Sequence, residues 1–168
     1  MKIRYFSILI FMSLLISGCN NAPEPKKQLG EIYSVALDAI MEQDEELNSG
    51  MEFIAINMSM LEEVDESDKE AVLSYFKKKY EVDVDMTEAT VQELKETELY
   101  DSNTSSLKGV FLSLDKVEFK DNNNVVFEGS KFRSNTEGFV VQVTVHYKDN
   151  TWQSKEVKTF LELGDLLN

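Results

Sequence analysis

Residues 138–163, GFVVQVTVHYKDNTWQSKEVKTFLEL, decide the fold because apolar and polar side chains alternate through them. Val141, Val143 and Val145 share one side of the first half of this stretch, which is the two-residue period of a half-buried β-strand. A short polar turn follows, so the second half is expected to return antiparallel to the first. The stretch therefore predicts a β-hairpin with one valine-rich face.

Burial predicts the register of this hairpin. A two-residue loop would place Glu156 opposite Val143 and set charges against the valines. A three-residue loop places Val157 opposite Val141 instead, because a shift of one residue moves every side chain to the other face. We therefore expect the three-residue loop, with Asn150 in the left-handed conformation that asparagine tolerates well.

The same register places His146 opposite Trp152 on the second face of the hairpin, together with Val140 and Phe160. Either the helices cover this face, or it lines an apolar pocket or a partner surface. These four side chains form the candidate binding face. His146 is the one histidine of the chain, and a histidine near neutral pH is able to act as a general base. An alternative function is therefore a small hydrolase or isomerase with a helix–sheet pocket near His146.

The rest of the chain predicts helices first and strands afterwards. Strands are predicted at 109–120, 125–133, 138–148 and 152–163, and short turns favour an antiparallel meander. Helices are predicted at 29–47, 67–80 and 87–99, the second with a capping box formed by Ser67 and Glu70. Short strands are predicted at 51–61, where a helix is the alternative, and at 82–84. Residues 29–168 are thus expected to form one α+β domain, with N-terminal helices packed on a curved antiparallel sheet of four or more strands.

A family resemblance covers roughly Gly109 to Leu163. The segments GSKFRS at 129–134, Gly138 and VQVTVHYKDNTW at 141–152 resemble the closing hairpin of small uncharacterised lipoproteins of Gram-positive bacteria. Helices followed by a curved meander are similar to the cystatin-like and nuclear-transport-factor-like folds. That resemblance implies a cone-shaped pocket between helix and sheet. It assigns no functional residue, because the chain has no active-site signature to match.

The N-terminus has the pattern of a secretory signal peptide. Lys2 and Arg4 precede an almost wholly apolar segment, Tyr5–Ser17. As a helix, these residues would extend about 20 Å at ~1.5 Å per residue. That length is too short for a hydrocarbon core of ~30 Å. Residues 1–18 are therefore predicted to be a cleaved signal rather than a transmembrane helix.

The signal ends in Ile16-Ser17-Gly18-Cys19, which resembles the lipobox of bacterial lipoproteins. The resemblance implies transfer of a diacylglyceryl group to the Cys19 sulfur, cleavage between Gly18 and Cys19, and acylation of the new amino terminus. The alternative is an uncleaved anchor or a signal cut elsewhere. Two acyl chains hold a protein on a membrane far more firmly than one. We therefore expect a protein anchored by lipid to the extracytoplasmic face of the cell membrane.

Residues 19–28 are predicted to be the lipidated cysteine and an extended spacer, because Pro23 and Pro25 oppose helix. Lys26 and Lys27 either lie near lipid headgroups or are incidental charges of a solvated linker. From Cys19 onward the chain carries 15 basic and 31 acidic side chains, a balance of −16. An anionic membrane repels such a body, so the domain is expected to stand off the lipid.

Composition excludes several classes of function. The full chain has 168 residues and a net charge of −14, which disfavours binding to nucleic acid. One cysteine allows no internal disulfide, and one histidine makes a multi-histidine zinc site or a Ser-His-Asp triad improbable. Asp83, Asp85 and Glu88 lack the spacing of an EF-hand. No catalytic residue, metal or cofactor is predicted.

Acidic residues are concentrated in the first half of the chain. From Cys19 to Asp101 there are seven basic and 22 acidic side chains, and from Ser102 onward eight and nine. Between Glu42 and Glu70 the only basic residue is Lys69. This surface is either a docking site for a basic protein or a cell-wall component, or a solvated face that keeps the protein soluble. The preferred function is a lipid-anchored interaction module, not an enzyme.

Overall fold

The computed structural model describes residues 23–62 and 64–162, so the predicted signal, the lipobox with Cys19, and Leu163 lie outside the described residues. The described helices are α1 (Leu29–Met41), α2 (Glu66–Tyr80), α3 (Val91–Leu94) and short 3₁₀ helices at Pro25–Lys27 and Glu45–Asn48. The strands are β1 (Phe53–Asn57), β2 (Asp83–Met86), β3 (Tyr100–Asp101), β4 (Ser106–Lys120), β5 (Asn124–Ser134), β6 (Glu137–Lys148) and β7 (Thr151–Glu162). In this part of the chain, every helix is too short or too polar to cross a bilayer.

The strands form one seven-stranded sheet in the order β2-β1-β4-β5-β6-β7, and β3 pairs with β4. Strands β4 to β7 are the predicted antiparallel meander. β1 instead runs parallel to both β2 and β4, and α2 forms the crossover from β1 to β2 that a parallel pair requires. The α+β class is confirmed, and the sheet is larger than four strands and partly parallel at one side.

Helix α1 packs on one face of the sheet, called the inner face below, and crosses β4 to β7. Ile32, Tyr33 and Ile40 are fully buried there. The Tyr33 ring meets the Phe127 ring edge-on, with 5.8 Å between centroids. Burial of a large apolar side chain contributes about 1.5–3 kcal/mol, so this interface is the main stabilising layer. The space between α1 and the sheet is filled by side chains.

A smaller core lies on the outer face of the sheet, opposite α1. There α3 covers the N-terminal end of β4 and its neighbours. The buried members of this cluster are Phe53, Ala55, Leu94, Leu107, Phe111 and Phe132. Part of the outer face is therefore a core in its own right.

The N-terminal elements differ from their predicted bounds. The first helix ends at Met41, because Asp44 adopts a left-handed conformation with φ of 49° and residues 45–48 form a 3₁₀ turn. The 3₁₀ helix at Pro25–Lys27 means that the expected spacer is not extended throughout. In the 51–61 segment, Ile54 and Ile56 are buried as predicted, but Met60 follows the strand and is 70% exposed.

The capping box of α2 lies two residues earlier than predicted. The Asp65 carboxylate accepts a hydrogen bond from the Asp68 backbone N–H at 2.8 Å, and the Asp68 carboxylate accepts one from the Asp65 N–H. Ser67 donates its hydroxyl to Asp65 instead. Aspartate caps helices as well as serine does, so an acidic stretch offers several starting points.

The predicted helix at 87–99 is reduced to the single turn of α3. Its start is set by a capping box between Thr90 and Glu93. It ends in a tighter turn, in which the backbone N–H and the hydroxyl of Thr97 both donate to the Leu94 carbonyl, at 3.1 and 2.7 Å. Leu94 is the one buried residue of this turn, so little packing would reward a longer helix.

The register predicted for the last hairpin is wrong. The loop has two residues, Asp149 and Asn150, both left-handed with φ of 52° and 66°. The register then shifts between the Val145 and Thr144 pairs, so that Val143 faces Val157. A β-bulge adds one residue to one strand and reverses the parity of all that follow. Apolar side chains thus meet across the strands although the turn is shorter than expected.

Candidate functional site

The structure separates the four residues of the predicted binding face. Trp152 pairs with Tyr147 rather than His146 and lies on the inner face. His146 pairs with Asn124 and Gln153 on the outer face, and Val140 is half-buried on the same side. Phe160 lies at a second register shift of β7 and is 60% exposed. The expectation that these residues share one face is therefore incorrect.

Trp152 holds the start of the domain against the sheet. It is buried, and its indole N–H donates to the Gln28 side-chain oxygen at 2.8 Å. Its ring packs edge-on against Tyr147 at 5.3 Å between centroids. A buried tryptophan needs such a partner for its N–H. The contacts of Trp152 are those of a core residue rather than of a binding surface.

The position of His146 offers no support for an enzymatic pocket beside it. Since Val145 is buried under α1, the alternation of β6 turns His146 away from the helices. The helix–sheet interface on the other side is filled by side chains such as Tyr33 and Phe127. The cone-shaped pocket implied by the fold resemblance is closed at this point.

The most unusual side chain of the inner face is Lys131, which is fully buried in β5. Its ammonium group donates to the carbonyls of Met41, Gln43 and Asp44 at 2.7–2.9 Å. Three acceptors match the three N–H donors of a lysine. These carbonyls follow the end of α1, where the helix dipole favours a cation. Lys131 therefore caps α1 and holds the segment that leaves it.

The environment of Lys131 sets its charge. Burial lowers the pKa of the Lys131 ammonium to about 8, against the opposing effect of the Asp44 and Glu45 carboxylates. The group is therefore mostly charged at neutral pH. The ammonium also lies 5.8 Å from the centroid of the Phe139 ring, within the range of a cation–π contact.

Arg133 holds the next part of the same segment. Its guanidinium donates to the carbonyls of Leu47 and Ser49 at 2.7 and 2.6 Å. The two cations together bind five carbonyls between Met41 and Ser49. The backbone of this segment is thus held by the sheet, and its acidic side chains lie at the surface.

These side chains belong to an acidic cluster at one end of the molecule, called the acidic end below. Its exposed members are Glu42, Asp44, Glu45, Glu46, Glu137 and Glu162. A groove of about 220 Å³ runs between the α1–β1 segment and the ends of β6 and β7, lined by Asp44, Glu137 and Glu162. Next to Glu162 in β7, Phe160 and Leu161 are exposed. The groove thus combines carboxylates with nearby apolar surface.

A polar network joins α1 to α2 near the same end. Asp38 accepts hydrogen bonds from the hydroxyls of Tyr75 and Tyr80 at 2.9 and 2.7 Å and from the Lys79 ammonium at 2.6 Å. Burial and the bond to Asp38 raise the pKa of Tyr75 to about 12 and that of Tyr80 further. Burial disfavours the charged form of Lys79, but hydrogen bonds to Asp38 and Glu42 outweigh this effect and raise the pKa of the Lys79 ammonium. Lys79 thus has a structural role, because it joins the end of α2 to two carboxylates of the α1 region.

Lys131 and Arg133 are residues that pattern analysis missed. A signal existed, because Lys131 falls on the same parity as Val125 and Phe127, where an apolar side chain is expected. A lysine on the buried parity of a strand implies a set of acceptors inside the fold.

Within residues 23–62 and 64–162, no three His, Cys, Asp or Glu side chains converge as metal ligands. No protein-family model, curated protein or solved structure matches the chain. The arrangement suits electrostatic binding of a cationic surface, since clustered carboxylates attract cations from a distance.

Proposed function

We propose that this chain is a lipid-anchored binding module on the extracytoplasmic face of the cell membrane, and that its acidic end captures a basic partner. The partner is a protein or a cell-wall component with clustered positive charge. The proposal has two parts, an anchor at Cys19 and a docking surface at the acidic end, and each has its own support.

The lipobox supports the anchor. Cys19 is the one cysteine of the chain, and it stands where Ile16, Ser17 and Gly18 place the acceptor sulfur. Pro23, the first residue that the structure describes, is the fourth residue after Cys19. That segment reaches at most about 14 Å at ~3.5 Å per residue. An acylated Cys19 would therefore hold the beginning of the domain close to the lipid.

The observation that carries the docking surface is the position of the acidic end relative to the anchor. The two lie at opposite ends of α1, since α1 begins at Leu29 and the acidic segment starts directly after Met41. The 13 residues of α1 span about 20 Å at ~1.5 Å per residue. An anchor at one end would thus present the carboxylates at the other end, away from the lipid.

The anchor is tested by a Cys19→Ala variant. We expect it to leave the membrane fraction, because the acyl chains have no other attachment point. Mass spectrometry of the native protein should find the chain beginning at a diacylated Cys19. An Asn21→Ala variant is the control that keeps the cysteine. Retention of Cys19→Ala on membranes, or an unmodified thiol in native material, would refute the anchor.

The docking surface is tested with a polylysine peptide as the cationic probe. We compare the triple variant Asp44→Asn, Glu45→Gln, Glu46→Gln with a control that removes the same charge elsewhere. The control substitutions are Glu66→Gln, Glu70→Gln and Glu88→Gln, which are exposed and lie outside the acidic end. Binding of the first variant should weaken more, and its salt dependence should be shallower. Equal loss in both variants would show that total charge, not the acidic end, attracts the probe.

A further inference from the structure

A mixed apolar and basic patch surrounds the first described residues. The 3₁₀ helix Pro25–Lys27 lies beside the C-terminal half of β4, and the Lys26 ammonium is 5.5 Å from the centroid of the Phe119 ring. A depression of about 350 Å³ opens next to this contact. Its lining residues include Lys26, Met60, Leu61, Lys116, Val117 and Phe119, which are called the proximal patch below.

The proximal patch exposes two large apolar side chains to solvent. Met60 is 70% exposed and Phe119 is 37% exposed. Met60 lies within the segment that links β1 to α2, where surface loops usually carry polar residues. Exposed apolar residues ringed by polar ones mark contact surfaces.

The charges around these apolar residues are of both signs, unlike those of the acidic end. The lining of the depression holds Lys26 and Lys116 beside Glu62 and Asp115, and Lys116 also pairs with Glu118 at 2.9 Å and Glu128 at 3.2 Å. Lys27 is paired with Glu24 at 2.8 Å in the same segment. The chain from Cys19 onward has a balance of −16. An anionic lipid surface therefore repels the acidic end, where exposed carboxylates are clustered, more than the depression, whose lining also holds Lys26 and Lys116.

We infer that the proximal patch is a membrane-contact surface, which rests on the lipid headgroups with Met60 and Phe119 at the level of the interface. The occupant is lipid because of where the chain leaves the patch. Pro23 lies four residues from the predicted acylation site, so an acylated Cys19 confines Pro23 to within about 14 Å of the headgroups. Lys26 of the patch follows three residues later. This inference rests on the proposed lipid anchor. If the proximal patch contacts the membrane, the expected separation of the domain from the lipid applies only to the acidic end.

The contact would fix the orientation of the whole domain. A tether alone allows the domain to rotate freely, whereas a second contact beside the tether holds α1 at a steep angle to the membrane. Lysine stems and apolar side chains both suit the interfacial layer, where charged heads reach water and apolar groups reach the acyl boundary. The acidic end would then point constantly into the space outside the membrane.

The test uses the full lipidated chain in vesicles of phosphatidylethanolamine and phosphatidylglycerol. A nitroxide is attached to a cysteine introduced by Met60→Cys, and in a second protein by Phe160→Cys. Position 160 is a matched control, since Phe160 is a similarly exposed apolar side chain at the opposite end. Cys19 does not react, because its sulfur carries the diacylglyceryl group. Accessibility to oxygen relative to a water-soluble nickel chelate then reports immersion.

We expect the oxygen-to-nickel accessibility ratio to be several-fold higher at position 60 than at position 160. Phe119→Glu should lower the ratio at position 60, whereas Leu161→Glu, a change at an equally exposed residue, should not. Equal ratios at 60 and 160 in protein that floats with the vesicles would overturn the membrane-contact surface and leave the lipid anchor standing. Protein that does not float with vesicles would overturn both.

Discussion

Replacement of Lys131 by methionine tests whether a buried cation holds the acidic segment. Lys131→Met keeps the length and most of the volume of the side chain, so the core stays filled. It removes three hydrogen bonds of 2.7–2.9 Å to the carbonyls that follow α1. The Met41 carbonyl retains a partner, because the Asn48 side-chain amide donates to it at 3.1 Å. The Asp44 carbonyl likewise keeps the Leu47 backbone N–H at 3.2 Å, whereas the Gln43 carbonyl loses the Lys131 donor and turns to water.

The expected loss of stability follows from these bonds. Hydrogen bonds from a charged donor contribute about 1.5–3 kcal/mol each. Three are lost, although the Met41 and Asp44 carbonyls each keep one other donor. Relief of the cost of burying an ammonium offsets part of that sum. We expect Lys131→Met to lower the free energy of unfolding by about 2–4 kcal/mol. In a domain of this size, that lowers Tm by about 6–12 °C.

Two assays check this account of Lys131. Thermal unfolding followed by circular dichroism measures Tm against Lys155→Met, an exposed lysine on β7 whose loss should change little. Hydrogen exchange should show faster exchange at the amides of Leu47 and Ser49, which close the 3₁₀ turn onto Asp44 and Glu46. An unchanged or higher Tm for Lys131→Met, with unchanged exchange in this turn, would refute the reasoning.

The pH dependence of stability gives an independent check of the same lysine. In the folded protein Lys131 has a pKa of about 8, and in the unfolded chain about 10.4. Between these values the unfolded state binds more protons, so the free energy of unfolding rises with pH. The difference in stability between the native protein and Lys131→Met should therefore grow from pH 8 to pH 10. A constant difference would mean that Lys131 titrates normally.

Two further predictions concern the α1–α2 network and the last hairpin. Because Tyr75 and Tyr80 have raised pKa values, their contribution to stability is complete below pH 10 and is lost as pH rises toward 12. Urea titrations across this range should show a smaller alkaline loss of stability in Tyr80→Phe than in the native protein. An equal loss would contradict the role of the Asp38 bond. Asn150→Ala should lower stability by about 1 kcal/mol relative to Asn150→Gly, since the left-handed conformation at φ of 66° costs alanine more than glycine. Equal stability of the two variants in calorimetry would argue against the two-residue turn.

The last hairpin shows which features of a strand pair a residue pattern predicts and which it does not. The alternation of Val141, Val143 and Val145 predicts strand β6 and its buried face, because a period of two is a property of the backbone. The pattern assumes one register from turn to end. In the structure a bulge near Lys155 changes the register, so Trp152 lies on the inner face. The residues of the predicted binding face therefore lie on different faces of the sheet. Bulges depend on packing across the sheet, which no single strand encodes.

Some predictions for the helical half of the chain are wrong for a related reason. Short acidic segments satisfy capping rules at several positions, so the rule alone does not choose Asp65 over Ser67. The local residue pattern likewise does not predict that β1 pairs in parallel with β2 and β4, because this pairing depends on where α2 directs the chain. The acidic segment itself was predicted, but its support was not. That support comes from Lys131 and Arg133, almost 90 residues further along the chain.

The position of these two cations bears on why the acidic end is ordered at all. Four carboxylates between Glu42 and Glu46 repel one another, and a free loop of that composition would spread to separate them. Lys131 and Arg133 neutralise part of that repulsion from beneath, through the backbone, without pairing with any of the carboxylates directly. A salt bridge would have consumed the charge that the proposed partner needs. Support through carbonyls holds the segment in place and leaves Asp44, Glu45 and Glu46 available, whereas Glu42 pairs with Lys79 at 2.8 Å. Lys131→Met should therefore weaken polylysine binding even though it removes a positive charge.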